Sequence, residues 1–196
     1  RKNIFYDVIK SDNEAQPSFR KIIEDFLELD EEKDEFITRR VYASGIIFCA
    51  TNAHADIIAD GLCEEGVSAK SYYGAKNDVN LIQKQWKDGL FPVIVATTES
   101  FGFGINRTPL TFIVHFSFSK NLRGFYQESG RVDAEKSYSR IYINKYFSGA
   151  IGGIEMNNYV ETKSCRHQFL ANFFGDEEIE ICINMCDNCV DDALIE

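Results

Sequence analysis

The sequence is short of several things, and each shortage narrows the reading. No stretch of about 18 apolar residues occurs, so no membrane span is expected. The chain opens RKNIFYDVIK, with neither a secretory signal nor an initiator Met, and reads as a piece cut from something longer. Six cysteines in 196 residues are too few for a disulfide scaffold. Lys and Arg number 21 against 31 Asp and Glu, and the net charge of −10 argues against a generally basic nucleic-acid binder. Internal repeats and low-complexity segments are absent. What remains is an ordinary globular composition, long enough for one substantial domain or a domain plus a small appendage.

The charge is unevenly spread. Residues 120–145 carry six basic and three acidic residues, whereas the rest of the chain carries 15 and 28. The segment from Asp176 to Glu196 has eight acids and no Lys or Arg. Such runs read either as a solvated surface or, more sharply, as one basic edge facing an anion on an otherwise acidic body. Cys49 and Cys63 lie in apolar surroundings and read as buried structural thiols.

Hydrophobic periodicity gives the order of elements. NIFYDVI reads as a strand, and residues 17–32 as a helix with Pro17 in its first turn. Asp30–Glu35 reads as an exposed loop. Continuous apolar runs at 44–51, 92–97 and 110–116 predict strands buried on both faces. Residues 67–73 and 138–144 add two more strands. Helices are expected over 52–66, with Asn52 as N-cap and Gly66 as terminator, over 78–89, and over 119–131 with Ser119 as cap. Alternation of this kind predicts an α/β fold, a parallel sheet with helices on both faces. The pattern fades after about residue 145, where SCRHQFLANFF predicts a helix before a cysteine cluster. The chain therefore divides into an α/β lobe over 1–147 and a small helical subdomain with an acidic tail over 148–196.

In such sheets ligands bind beyond the carboxyl ends of the strands. TNAHAD follows one such end. TTESFGFGINRTP follows another and carries Thr97, Thr98, Ser100, Gly102 and Gly104. Its hydroxyls and glycines suit close approach to phosphate, or simply a tight loop. A third segment, FYQESGRVDAEKS, brings Gln127, Gly130 and Arg131 to the end of a helix entering the same edge; Arg131 is either a phosphate fork or a surface side chain beyond a helix C-terminus.

Cys165, Cys182, Cys186 and Cys189 form a C-x16-C-x3-C-x2-C array. Four thiolates with a x2 chelating pair suit a closed tetrahedral Zn²⁺ site, with a redox pair as the alternative and His167 as a possible replacement ligand. Four thiolates leave no open coordination position, so such a metal is structural and staples a segment poor in apolar mass.

SGIIFCAT, VIVATTESFGFGIN, FIVHFSFSKNLRGFYQESGR and ICINMCDNC occur in that order. Together they resemble the second RecA-like motor lobe and zinc subdomain of RecQ-family DNA helicases, over roughly residues 3–190. Other superfamily 2 helicases share the lobe but lack this zinc module. The resemblance implies an ATP-dependent enzyme moving 3′ to 5′ on DNA and separating duplexes in replication, recombination or repair, in the nucleus. It implies ATP and Mg²⁺ held jointly with a first lobe, single-stranded or forked DNA as partner, and no membrane. The phosphate-binding loop and acidic box of that first lobe are not found in this sequence, so the chain is not expected to hydrolyse ATP alone. By resemblance, Arg131 and Gln127 serve catalysis, with Gly104, Asn106 and Gly130 at the nucleotide, while Thr97, Thr98, Ser100, Lys120 and Arg123 face the DNA backbone and Cys165 is the first zinc ligand.

The sequence departs from the family at three places. The pattern Q-x-x-G-R-x-x-R loses its second arginine: residue 134 is Ala, and Lys136 and Arg140 are wrongly spaced. The ATTESFGFGIN segment has one extra residue and ends in Asn106 where the family has Asp. Tyr73 stands where the family has His. These departures leave two other readings open: a non-catalytic DNA-binding or scaffold module on a decayed lobe, and a superfamily 2 RNA helicase lobe.

Overall fold

The computed structural model describes residues 3–10, 33–34, 37–38, 44–97, 109–143, 152–176, 182 and 184–190. Among these, six strands form one sheet: β1 (Ile4–Lys10), β4 (Gly45–Cys49), β5 (Ala69–Tyr72), β6 (Val93–Thr97), β7 (Phe112–His115) and β8 (Ser137–Ile143). Their order is β1-β8-β7-β4-β6-β5, and every neighbouring pair is parallel. Two short strands, β2 (Lys33–Asp34) and β3 (Ile37–Thr38), pair antiparallel on their own. They fall where the sequence predicts a loop or nothing; two-residue strands are too short to leave a periodicity. The helix expected over 17–32 lies outside the described residues.

Five helices are described: α1 (Asn52–Glu64), α2 (Val79–Lys87), α3 (Leu122–Ser129), α4 (Ile154–Glu161) and α5 (Arg166–Phe174). The continuous apolar runs have the predicted cause. Ile46 and Phe48 of β4 enter one core, with Ile94, Ile113 and Ile141, under α2, α3, α4 and α5. Ile47 and Cys49 enter the other, with Val95 and Val114, under α1. A strand alternates faces at every residue, so a strand covered on both sides must be apolar throughout. The first core runs on without a break into Met156, Tyr159, Leu170 and Cys186, so the helical segment shares the sheet's interior.

Local chemistry moves several expected boundaries. The N-cap of α1 is Thr51, not Asn52; its side chain accepts the His54 N–H. Gly66 ends the helix with φ +87, a region costly for other residues. The cap of α3 is Asn121, whose side chain accepts the Gly124 N–H, while Ser119 is turned to another partner. Helix α4 is missed by the sequence reading: it is eight residues long, without a side-chain cap, and only Met156, Tyr159 and Val160 are buried. Cys63, in the last turn of α1, is exposed, contrary to expectation, although its thiol donates to the Ala69 carbonyl of β5; Cys49 is buried as expected.

Gly45 has a packing reason. A Cβ there would stand 2.0 Å from the Phe112 ring on the adjacent strand. Gly45→Ala is expected to force that ring aside and cost about 1–3 kcal/mol, the usual range for overpacking a filled core. Urea denaturation of the two proteins checks this; an unchanged midpoint would show that Phe112 does not confine the position.

Candidate metal centre and the edges of the sheet

The four predicted cysteines converge. The Sγ atoms of Cys165, Cys182, Cys186 and Cys189 all lie within 4.8 Å of one another. Cys182 and Cys186 are 3.8 Å apart, which is the edge of a tetrahedron with Zn–S bonds of about 2.3 Å. Cys165 is the residue before α5. The other three sit on a loop that turns at Asn184 (φ +51), a conformation that Asn tolerates better than most residues. Within that loop the Cys189 and Val190 N–H groups donate to the Cys186 carbonyl, closing the x2 knuckle. Asn188 donates to the carbonyls of Thr162 and Ser164, which fastens the knuckle to the turn before Cys165.

The sulfurs are close enough to act on one another's charge. Burial and the neighbouring sulfurs push Cys182 well above the ordinary thiol range and Cys189 up to about 12. Burial also works against a charge on Cys165, but N–H groups of α5 and the thiols of Cys182 and Cys189 bring it below its ordinary value. One thiolate is thus favoured and the next ones are opposed, the electrostatics of a site in which a cation supports the remaining charges. His167 is not part of the set. Its Nε2 lies 3.0 Å from the Ile4 carbonyl and 3.1 Å from that of Met185, so it donates to backbone.

An ion pair with a buried arginine and a half-buried aspartate anchors the cluster to the sheet. Arg166 gives Nε and Nη2 to the two oxygens of Asp187, at 2.5 and 2.8 Å, and Nη1 to the Tyr159 carbonyl. Asp187 in turn accepts the Val8 N–H of β1. Tyr6 exchanges backbone hydrogen bonds with Met185 and Asp187, so the cysteine loop continues the sheet past its β1 edge.

The other predicted residues divide between opposite edges of the sheet. Thr97 ends β6 at the carboxyl edge and is buried; Thr98, Ser100, Gly104 and Asn106 lie outside the described residues. Lys120 is exposed beyond the carboxyl end of β7. Arg131, however, is not at that edge. Helix α3 runs back across the sheet, and Asp133 exchanges hydrogen bonds with Leu110, at the entry to β7. Arg131 follows the Gly130 cap, with Gln127 exposed on the same helix, at the amino edge. The expected single ligand edge is therefore two edges, because a crossover helix returns the chain to the start of the next parallel strand.

Two arginines of the basic segment have partners within the protein. Arg123 lies over the rings of Phe173 and Phe174, at 5.5 and 5.6 Å. Arg140 pairs with Asp7 at 2.6 Å and meets the Tyr142 hydroxyl; burial opposes its charge, yet Asp7 raises its pKa overall. It is structural and does not supply the arginine missing from position 134.

The description "helicase conserved C-terminal domain" matches residues 28–133, and "RecQ zinc-binding" matches residues 154–190. The chain belongs to the RecQ family of helicases. It is 30% identical to the mouse protein named ATP-dependent DNA helicase Q5, with all of this chain aligned, and 32% identical to Arabidopsis thaliana ATP-dependent DNA helicase Q-like 2, with 96% aligned. It spans 22% and 28% of those two proteins, about a quarter of each. Among solved structures, the C-terminal domain of Saccharomyces cerevisiae Dbp5 superposes with a TM-score of 0.57 over 89% of this chain and 85% of that one, at 16% identity. Escherichia coli SrmB superposes equally well over 74% of this chain and 80% of that one, at 15% identity. At these identities the likeness is one of fold, a RecA-like lobe. The RecQ zinc-binding match begins with α4 and ends at Val190, so it spans all four cysteines and the Arg166–Asp187 pair.

Asp187 was invisible as a structural residue in the sequence, although each member of the pair directly follows a cysteine. Asp187→Ala leaves a guanidinium that is 4% exposed without its partner. The expected loss is near the lower end of about 3–5 kcal/mol, since Asp187 itself is 27% exposed. Thermal unfolding measures it, and a loss below 1 kcal/mol would show that the pair is not what holds the loop.

Proposed function

We propose that the chain is the C-terminal motor lobe and zinc module of an ATP-dependent DNA helicase that travels 3′ to 5′ on single-stranded or forked DNA. The observation carrying this reading is the joining, in one continuous core, of a RecA-like lobe bearing Gln127-x-x-Gly130-Arg131 to four thiols at tetrahedral spacing. On this reading ATP and Mg²⁺ sit between the amino edge of this lobe and a first lobe. Arg131 offers its fork to the charge that develops on the transferred phosphoryl group. DNA passes the carboxyl edge near Thr97 and Lys120, through salt-dependent contacts with its backbone. Zn²⁺ held by the four cysteines supplies folding energy and no open coordination position. A nuclear location and work in replication, recombination or repair belong to the same reading.

Two measurements test it. In the full-length protein, Arg131→Ala is expected to lower DNA-stimulated ATPase activity by about 10³-fold or more, the scale of arginine fingers elsewhere. Equal activities would remove Arg131 from the mechanism. Protein purified without chelator is expected to hold one zinc per chain by elemental analysis, and Cys189→Ser to lose both the metal and several degrees of melting temperature. Metal-free protein with an unchanged melting curve would refute the staple.

A further inference from the structure

The turn between α3 and β8 is fastened to both neighbouring strands. Val132 is buried and joins the core beneath α3. The Asp133 carboxylate accepts the Leu110 N–H at 2.7 Å, and the Asp133 N–H donates in return to the Leu110 carbonyl at 3.1 Å. The Ala134 N–H reaches the same carbonyl at 3.4 Å. The Ala134 carbonyl accepts from Asn3 Nδ2 at 2.9 Å and from the Ser137 hydroxyl at 3.0 Å. The Asn3 carbonyl accepts the Ser137 N–H, at 3.0 Å. One side of the turn is thereby tied to the entry of β7 and the other to the entry of β1, 131 residues away in sequence. Asp133, Glu135 and Lys136 are exposed, so water could satisfy the polar groups of the turn without any of these ties. What the ties add is direction: they leave the turn one path across the amino edge.

Arg131 leaves the chain inside this frame. Before it, the Gly130 and Arg131 N–H groups donate to the Tyr126 and Glu128 carbonyls, at 3.0 and 3.2 Å. After it come the buried Val132 and the reciprocal bonds between Asp133 and Leu110. The backbone that carries the guanidinium is therefore fixed on both sides within two residues. Position 134, where the family pattern has its second arginine, is taken up by the same frame, with its N–H and its carbonyl both bonded. We propose that Asn3 and Asp133 are positioning residues, which tie the turn to β1 and β7 and so hold the Arg131 backbone for transition-state contact, and that residue 134 serves this frame in place of supplying a second cation. This rests on the reading of Arg131 given above. Neither Asn3 nor Asp133 has to touch the nucleotide for this role.

The test uses the full-length protein, assayed for DNA-stimulated ATPase, for melting temperature and for binding of ADP with aluminium fluoride, a mimic of the transferring phosphoryl group. Asn3→Asp keeps the side chain's shape and loses its donor; Asp133→Ala loses the acceptor for the Leu110 N–H, and Asp133→Asn keeps one. Asn3→Asp and Asp133→Ala are each expected to lower kcat about 10- to 10²-fold with KM for ATP within about twofold, the signature of a misplaced group and not of lost ground-state binding. Affinity for the mimic is expected to fall while affinity for ADP alone holds, and Asp133→Asn is expected to retain most of the activity. Asp133→Ala added to Arg131→Ala is expected to cost nothing more, since residues acting as one unit are not additive. Ala134→Arg is expected to bring no gain. If Arg131→Ala is impaired while either Asn3→Asp or Asp133→Ala is not, or if the losses multiply, the positioning role is overturned and the reading of Arg131 stands. If Arg131→Ala is itself active, both fall. Variants that only melt earlier, with kcat and mimic affinity unchanged, assign the frame to stability and overturn the proposal. A severalfold rise in kcat with Ala134→Arg would show that position 134 is still open to a second cation, and overturns it as well.

Discussion

One guanidinium holds the two halves of this chain in register. Arg166 donates to both oxygens of Asp187 and to the Tyr159 carbonyl, and its charge lies 5.4 Å from the Tyr159 ring. Asp187 also accepts a backbone N–H from the edge strand β1. Four segments therefore meet at a single ion pair: β1, α4, the start of α5 and the cysteine loop. Each partner directly follows a cysteine, Cys165 in one case and Cys186 in the other. Whatever fixes Arg166 against Asp187 also fixes two of the four sulfurs relative to each other. A buried pair is weak evidence for stability as such, since apolar residues of the same volume can do as well. Its directionality is what apolar contacts lack. The bidentate geometry admits one placement of the loop, and the metal ligands inherit that placement.

The sheet transmits the same order to its two edges. All neighbouring strands are parallel, so every crossover begins at one edge and finishes at the other. Motifs adjacent in sequence are separated by the thickness of the lobe, and distant ones are brought together. Leu110 and Asp133 lie side by side although 23 residues apart. Under the function proposed above, the lobe has to present one surface to a nucleotide and another to a polymer. A parallel sheet supplies both without additional structure, provided that its core does not yield. The core meets that condition at Gly45, where the Phe112 ring occupies the place of a side chain.

Most of this fold was legible in the sequence because it is written in periodicity. Strands buried on both faces leave unbroken apolar runs, and the cysteine spacing states its coordination geometry almost directly. The parts that were not legible share a physical cause: they depend on partners far away in sequence. Asn121 and Ser119 are both plausible caps, and only the position of Glu128 decides between them. Arg140 looks like a free cation until β1 brings Asp7 against it, 133 residues away. Arg123 is exposed, yet its guanidinium also lies over two rings of α5 that are 50 residues away in sequence. Charge counting along the chain cannot distinguish a cation that faces solvent from one committed inside the protein. Three-dimensional pairing alone shows that Arg140 is committed to Asp7.

The absent second arginine then has a definite consequence. With Ala134 in the motif and Arg140 committed to Asp7, the described part of α3 and β8 offers the amino edge one motif arginine. Two arginines tolerate some misplacement, since either can follow a charge that spreads over three oxygens. One cannot, and a fork displaced by an ångström loses much of what its fixed geometry supplies. A lobe that works with a single arginine must hold it more rigidly than a lobe with two.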